Sequence, residues 1–153
     1  MRAISIRQPW LCVILHGPKR IENRRTDVVG AYRGPVLLHA SGYRGSVDGY
    51  EAICAEIRGL VGHPHVGPPS HEMVERGGIL GRAWIVDVRP PAVATDVLPR
   101  GGGDLIWWER DCFGIVLADV EPLPFVPLRG QLGLFNVPDD YAERSDGARE
   151  GHA

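Results

Sequence analysis

The apolar residues of this chain fall into short runs, and only two of those runs carry a helical stripe. Residues 3–7 alternate as a strand, and Pro9 suits the first turn of a helix, where its missing N–H would go unpaired anyway. Trp10, Val13 and Ile14 then form one apolar face, and Gly17-Pro18 ends it. Residues 19–25 read as extended, which puts Glu22 and Arg24 on one face and Lys19 with Asn23 on the other. Residues 35–40 are a buried strand that ends on His39, Ala40 and Ser41. A second helix starts at Asp48, with Tyr50, Ile53, Cys54 and Ile57 as its stripe and Gly59 or Gly62 as its end. Ser70 is placed to cap a further short helix that stops at Gly77-Gly78. Residues 79–89 read as a long strand bent at Gly81 and closed by Pro90-Pro91. A long connection over 92–111 carries Gly101-Gly102-Gly103 and Trp107-Trp108, and connections of that length are often functional. Residues 113–120 are a core strand and 125–128 a proline-rich edge strand. The pattern predicts an α+β fold, a mixed β pseudo-barrel of about five or six strands with two or three flanking helices.

At 153 residues the chain fits one domain. Residues 1–138 are its expected extent, and 139–153, with five acids and two arginines, an acidic flexible tail. Without a signal-like start or an apolar run of membrane-spanning length, the chain is expected to be cytoplasmic, with no membrane contact. Cys12, Cys54 and Cys112 are odd in number and sit in apolar surroundings, as reduced core thiols do.

Lys19 is the one lysine, set against sixteen arginines. An ammonium can lose its proton in a desolvated pocket where a guanidinium cannot, so Lys19 is the first candidate for chemistry. Its setting is Gly17-Pro18-Lys19-Arg20-Ile21-Glu22-Asn23-Arg24, preceded by Arg7-Gln8-Pro9-Trp10 and followed by Arg33-Gly34-Pro35-Val36-Leu37-Leu38-His39-Ala40. In that order these segments resemble the ASCH family of the PUA-like superfamily, whose signature is Gly-x-Lys-x-x-Glu-x-Arg. The resemblance returns at residues 114–124 and 129–138, and covers roughly 3–44 and 78–138. It implies a PUA-like pseudo-barrel with the motif strand along a cleft, the preceding helix as one wall, and Gln8, Pro9, Trp10, Lys19, Glu22, Asn23 and Arg24 as cleft residues. It also implies RNA or a modified nucleoside or nucleotide as partner. No obligate protein partner is evident, and no cofactor is implied.

The residue chemistry is compatible. Lys19 and Arg24 can hold a phosphate or carbonyl oxygen, and Glu22 can orient them and accept from a base amino group. A plain ion pair is the other reading of Glu22 and Arg24. Lys19 itself is expected in a cleft and outside the core, so its replacement should cost little stability. Trp10, Trp107 and Trp108 offer stacking surfaces, with Trp107 taken as a ligand residue and one of the adjacent pair as a lid or rim. His39, helped by Ser41, is a further cleft candidate. His63, His65 and His71 sit among glycines and prolines with no completing cysteine or carboxylate spacing, so no metal is expected.

Charge is uneven along the chain. Residues 1–44 hold seven arginines and Lys19 against Glu22 and Asp27, +6, and the remainder carries −8, which together give −2. A basic first third suggests an anionic partner and an affinity for single-stranded RNA that falls steeply with salt. Two function classes follow. The first is binding of RNA or a modified nucleotide. The second is a hydrolase, because some bacterial ASCH proteins are similar to acetylcytidine amidohydrolases with a threonine nucleophile, a motif lysine and a distant glutamate; ribonuclease activity has also been proposed in the family. The threonine position is Glu22 here, which removes that acyl route but leaves a carboxylate able to act as general base beside Lys19. Glu72 and Glu75 are the candidates for the distant carboxylate.

Overall fold

The computed structural model describes residues 1–62, 67–92, 104–141 and 144. His63, His65 and the triple glycine at 101–103 lie outside the described residues, as does most of the acidic tail. Among the described residues, six strands and two α-helices follow in the order β1 (Arg2–Ile6), α1 (Trp10–His16), β2 (Ile21–Arg24), β3 (Gly34–Ala40), α2 (Val47–Val61), β4 (Gly78–Arg89), β5 (Phe113–Pro127) and β6 (Leu134–Asn136). A 3-10 turn, Asp104–Trp107, precedes β5. The strands form one sheet in the order β2-β5-β4-β3-β1-β6, curled into a half-barrel. β1 and β3 run parallel, and the other neighbours are antiparallel. No described helix is long and apolar enough to cross a membrane.

β3 sits between β1 and β4 and is buried along almost its whole length, which is why its sequence is continuously apolar instead of alternating. On one face of the sheet, Leu11, Ile14 and Leu15 of α1 pack on Ile4, Ile6, Val36, Leu38, Ile85, Ile115 and Leu117. On the other face a second cluster joins Leu37, Ile79, Val126 and Phe135 to Tyr141, which is buried. A third cluster fills the junction of α1, β2 and α2: Val13, Ile21 and Ile57 with Trp107, and Trp10 and Trp108 at its margin.

Several sequence expectations shift in detail. The segments 113–120 and 125–128 are one continuous strand. Pro122 and Pro124 are accommodated because β2 pairs only with Phe113–Val116, so beyond that point β5 is an edge and a missing N–H costs no ladder bond. α2 starts two residues early, with Ser46 as its N-cap, whose hydroxyl accepts from Gly49 N at 3.0 Å. Ser70 caps a turn and not a helix, accepting from the Met73 and Val74 amides through its carbonyl at 3.1 and 3.0 Å. β4 carries the expected irregularity at Gly81. A Cβ there would lie 2.3 Å from Leu15 Cδ2 and 2.8 Å from Glu121 O, so α1 can approach the sheet only over a glycine.

Candidate functional site

α1 ends at Gly17, and Arg20 closes its last turn by donating to the carbonyls of Ile14, Gly17 and Lys19 at 3.1, 2.9 and 2.9 Å. That tight exit turns the Lys19 side chain inward. Its ammonium donates to Ile21 O, stands 3.6 Å from Glu22 Oε2 and lies 5.7 Å from the centre of the Trp10 ring. Glu22 Oε1 in turn forms an ion pair with Arg24 at 3.2 Å, and Arg24 also donates to Ser5 O. Lys19 and Glu22 are 3% and 9% exposed, so the expectation of a cleft lysine outside the core is corrected: Lys19 forms the floor. Burial pushes its ammonium below the ordinary lysine value of 10.5, and Arg24 adds to the push, while Glu22 and Glu109 oppose it.

Above this floor is a cleft of about 130 Å³. Trp10 walls one side. Asn23 and Trp107 wall another, locked together by Asn23 Nδ2 donating to Trp107 O at 2.7 Å while Asn23 Oδ1 accepts from Glu109 N at 3.0 Å. One amide side chain thus pins the segment around the 3-10 turn to β2, in the manner of a strand neighbour. Trp108 faces the same space and donates from Nε1 to Cys112 O at 3.0 Å, which fixes its ring plane. Glu56 and Leu60 from α2 and Ile106 from the turn complete the rim, with Leu60 and Ile106 leaving apolar surface open to solvent. The charges here are Lys19 against Glu22, Glu56 and Glu109. Flat aromatic walls, amide and carboxylate acceptors and a buried cation can stack a planar ring and accept from its N–H groups.

Of the residues expected in the site, the structure therefore unites Trp10, Lys19, Glu22, Asn23 and Trp107. The strand alternation that put Lys19 and Glu22 on opposite faces fails because Lys19 precedes β2, where the chain is still turning. Arg24 is spent on Glu22 and Ser5 and does not line the cleft. Gln8 and Pro9 shape the entry to α1: Gln8 donates to Glu75 O and accepts from Cys12 N at 3.0 and 3.1 Å, and Pro9, joined to it by a cis peptide bond, is buried. His39 and Ser41 belong to a separate groove with Ser5, Arg129 and Arg144. His39 Nε2 donates to Leu128 O at 2.7 Å, so Nδ1 is left to accept from Ser5 Oγ at 2.9 Å. Burial holds this imidazole below its ordinary value of 6.5.

Glu72 and Glu75 are exposed and away from the cleft; its carboxylates beyond Glu22 come from Glu56 and Glu109. Glu56 and Glu109 are not among the expected site residues, and Trp108 is expected there only as a stacking surface or rim beside Trp107. For Trp108 a signal existed in the paired tryptophans, whereas nothing local marks the two glutamates. Next to the rim, Glu109, Asp111 and Cys112 lie within 4.8 Å of one another. Burial, then Glu109 and Asp111, raise the Cys112 thiol above its ordinary value of 9.0. A scan against protein-family models and a search of curated proteins both find no match to this chain.

Proposed function

We propose that this chain is an ASCH-type, PUA-like domain that binds RNA or a modified nucleotide, with a base held in the Lys19–Glu22 cleft. The observation that carries the reading is the convergence of two half-buried tryptophans, Trp10 from α1 and Trp108 from the segment before β5, over the packed Trp107 and one hydrogen-bonding floor. Stacking of a base on such walls contributes ~1 to 3 kcal/mol. Asn23 and the carboxylates supply acceptors for the base edge. The motif order of residues 7–40 supports the same reading.

The test is a titration of nucleosides, acetylated nucleosides and short single-stranded RNA, followed by tryptophan fluorescence. Binding is expected to quench emission, and Trp108→Ala is expected to weaken affinity about tenfold while the fold persists. Failure of every nucleobase compound to bind would overturn the reading.

A second reading, hydrolysis of an acylated nucleoside or of RNA, rests on one observation: Lys19 is a desolvated amine held below its ordinary pKa beside a carboxylate. It requires turnover in the same panel, watched by chromatography, and loss of that turnover in Glu22→Gln.

A further inference from the structure

The charge balance of the cleft bears on where a phosphate goes. Lys19 is already paired with Glu22, and Glu56 and Glu109 stand at the cleft with no further lysine or arginine among the lining residues. A dianionic group placed there would meet carboxylates first.

On the other side of Trp10 the balance is reversed. A second cavity of about 230 Å³, again walled by Trp10, is lined by Arg7 and Arg44 and by no acidic residue. Arg7 is stacked on the Tyr43 ring at 4.1 Å, which sets its guanidinium at the cavity wall. Among the described residues, neither Arg7 nor Arg44 makes an ion pair. Behind them Arg76 packs its guanidinium 5.6 Å from the centre of the Tyr50 ring, another cavity residue, with two nitrogens buried and unpartnered. Two unpaired guanidiniums facing one space, one of them oriented by an aromatic ring, match the acceptor oxygens of a phosphate.

We propose that the Arg7–Arg44 cavity takes a phosphate of the same nucleotide whose base enters the tryptophan cleft, with Trp10 as the wall between the two. This assignment rests on the nucleotide reading of the cleft. It divides the work: aromatic and acceptor groups read the base, and arginines without an ion pair among the described residues anchor the backbone.

The experiment compares each nucleoside with its 5′- and 3′-monophosphates, and with inorganic phosphate, by calorimetry on the full chain. At least one monophosphate is expected to bind about tenfold more tightly than its nucleoside. Arg7→Gln and Arg44→Gln should each remove most of that advantage while leaving nucleoside affinity within about twofold, and Arg33→Gln, in the Asp87 pair, should change nothing. Unfolding curves verify that the variants remain folded. If nucleosides bind and their monophosphates bind no more tightly, the phosphate assignment is overturned and the cleft reading survives. If an advantage is present but persists in Arg7→Gln and Arg44→Gln, the phosphate is held elsewhere and the assignment is again overturned. If neither nucleosides nor monophosphates bind, the cleft reading fails and the assignment fails with it, whatever inorganic phosphate does.

Discussion

Lys19 was legible as the residue to watch, because a single ammonium among guanidiniums is a compositional signal. Its burial was not, since the atoms that cover it come from Trp10, Trp107 and the start of β2, brought together only by the fold. Removing one member of a buried ion pair leaves the other charge uncompensated, and such losses cost several kcal/mol. Glu22 keeps Arg24 at 3.2 Å, so the expected cost of Lys19→Met is about 3 kcal/mol, at the lower end of that range. Adding Glu22→Gln should recover part of it. Urea unfolding of the two single variants and the double variant measures the coupling; a cost under 1 kcal/mol for Lys19→Met would show that the pair is effectively solvated. His39 gives a pH prediction with a definite sign. Its folded value lies below 6.5, so between that value and 6.5 the unfolded chain takes up a proton that the folded chain refuses. Stability therefore falls as pH drops below about 6.5, and His39→Gln should flatten that slope in thermal melts across the acid range.

At the scale of elements, local pattern succeeded wherever the hydrophobic period was long enough to read. β1, α1, β3 and β4 stand within a residue or two of their expected limits. β5 was read as two strands because prolines argue against a ladder, and the reason they are tolerated is the shortness of β2, a fact about a different part of the chain. β6 has three residues and exists through its pairing with β1 across more than a hundred residues, a contact no local window contains. The cleft depends on how closely α1 sits to the sheet, and Gly81 sets that distance. Gly81→Ala puts a methyl 2.8 Å from Glu121 O, a backbone atom that can move only with β5, as well as against the buried Leu15 side chain. Overpacking of this kind costs about 1 to 3 kcal/mol. Chemical denaturation should show that loss, and nucleoside affinity should weaken with it, because the displaced helix carries Trp10. Unchanged affinity in a destabilised Gly81→Ala would show that α1 does not set the cleft.

For the whole molecule, the +6 of the first 44 residues promised a basic surface, and folding disperses it. Arg20 caps α1, Arg24 pairs with Glu22, and Arg33 lies 3.8 Å from Asp87. Arg2 stacks on Tyr32 at 4.8 Å. A count along the chain sees all of these as available cations, whereas their carbonyl, carboxylate and ring partners are visible only in three dimensions. Arg7 and Arg44 are the pair from this segment that shares one cavity without an ion pair among the described residues. The steep salt dependence expected from the sequence is revised accordingly. Counterion release from a single strand contributes a log–log slope of about −0.7 per phosphate neutralised. Two arginines holding one or two phosphates give a slope of roughly −0.7 to −1.4, a loss of about threefold to sevenfold between 50 and 200 mM salt. Six cations in one patch would give a loss of about three-hundredfold over the same interval. Titration of short single-stranded RNA across that range is therefore a direct measure of how many arginines act together. A steep slope would mean that the dispersed arginines regroup on the ligand, and the separation of a base-reading cleft from a two-arginine phosphate pocket would not hold.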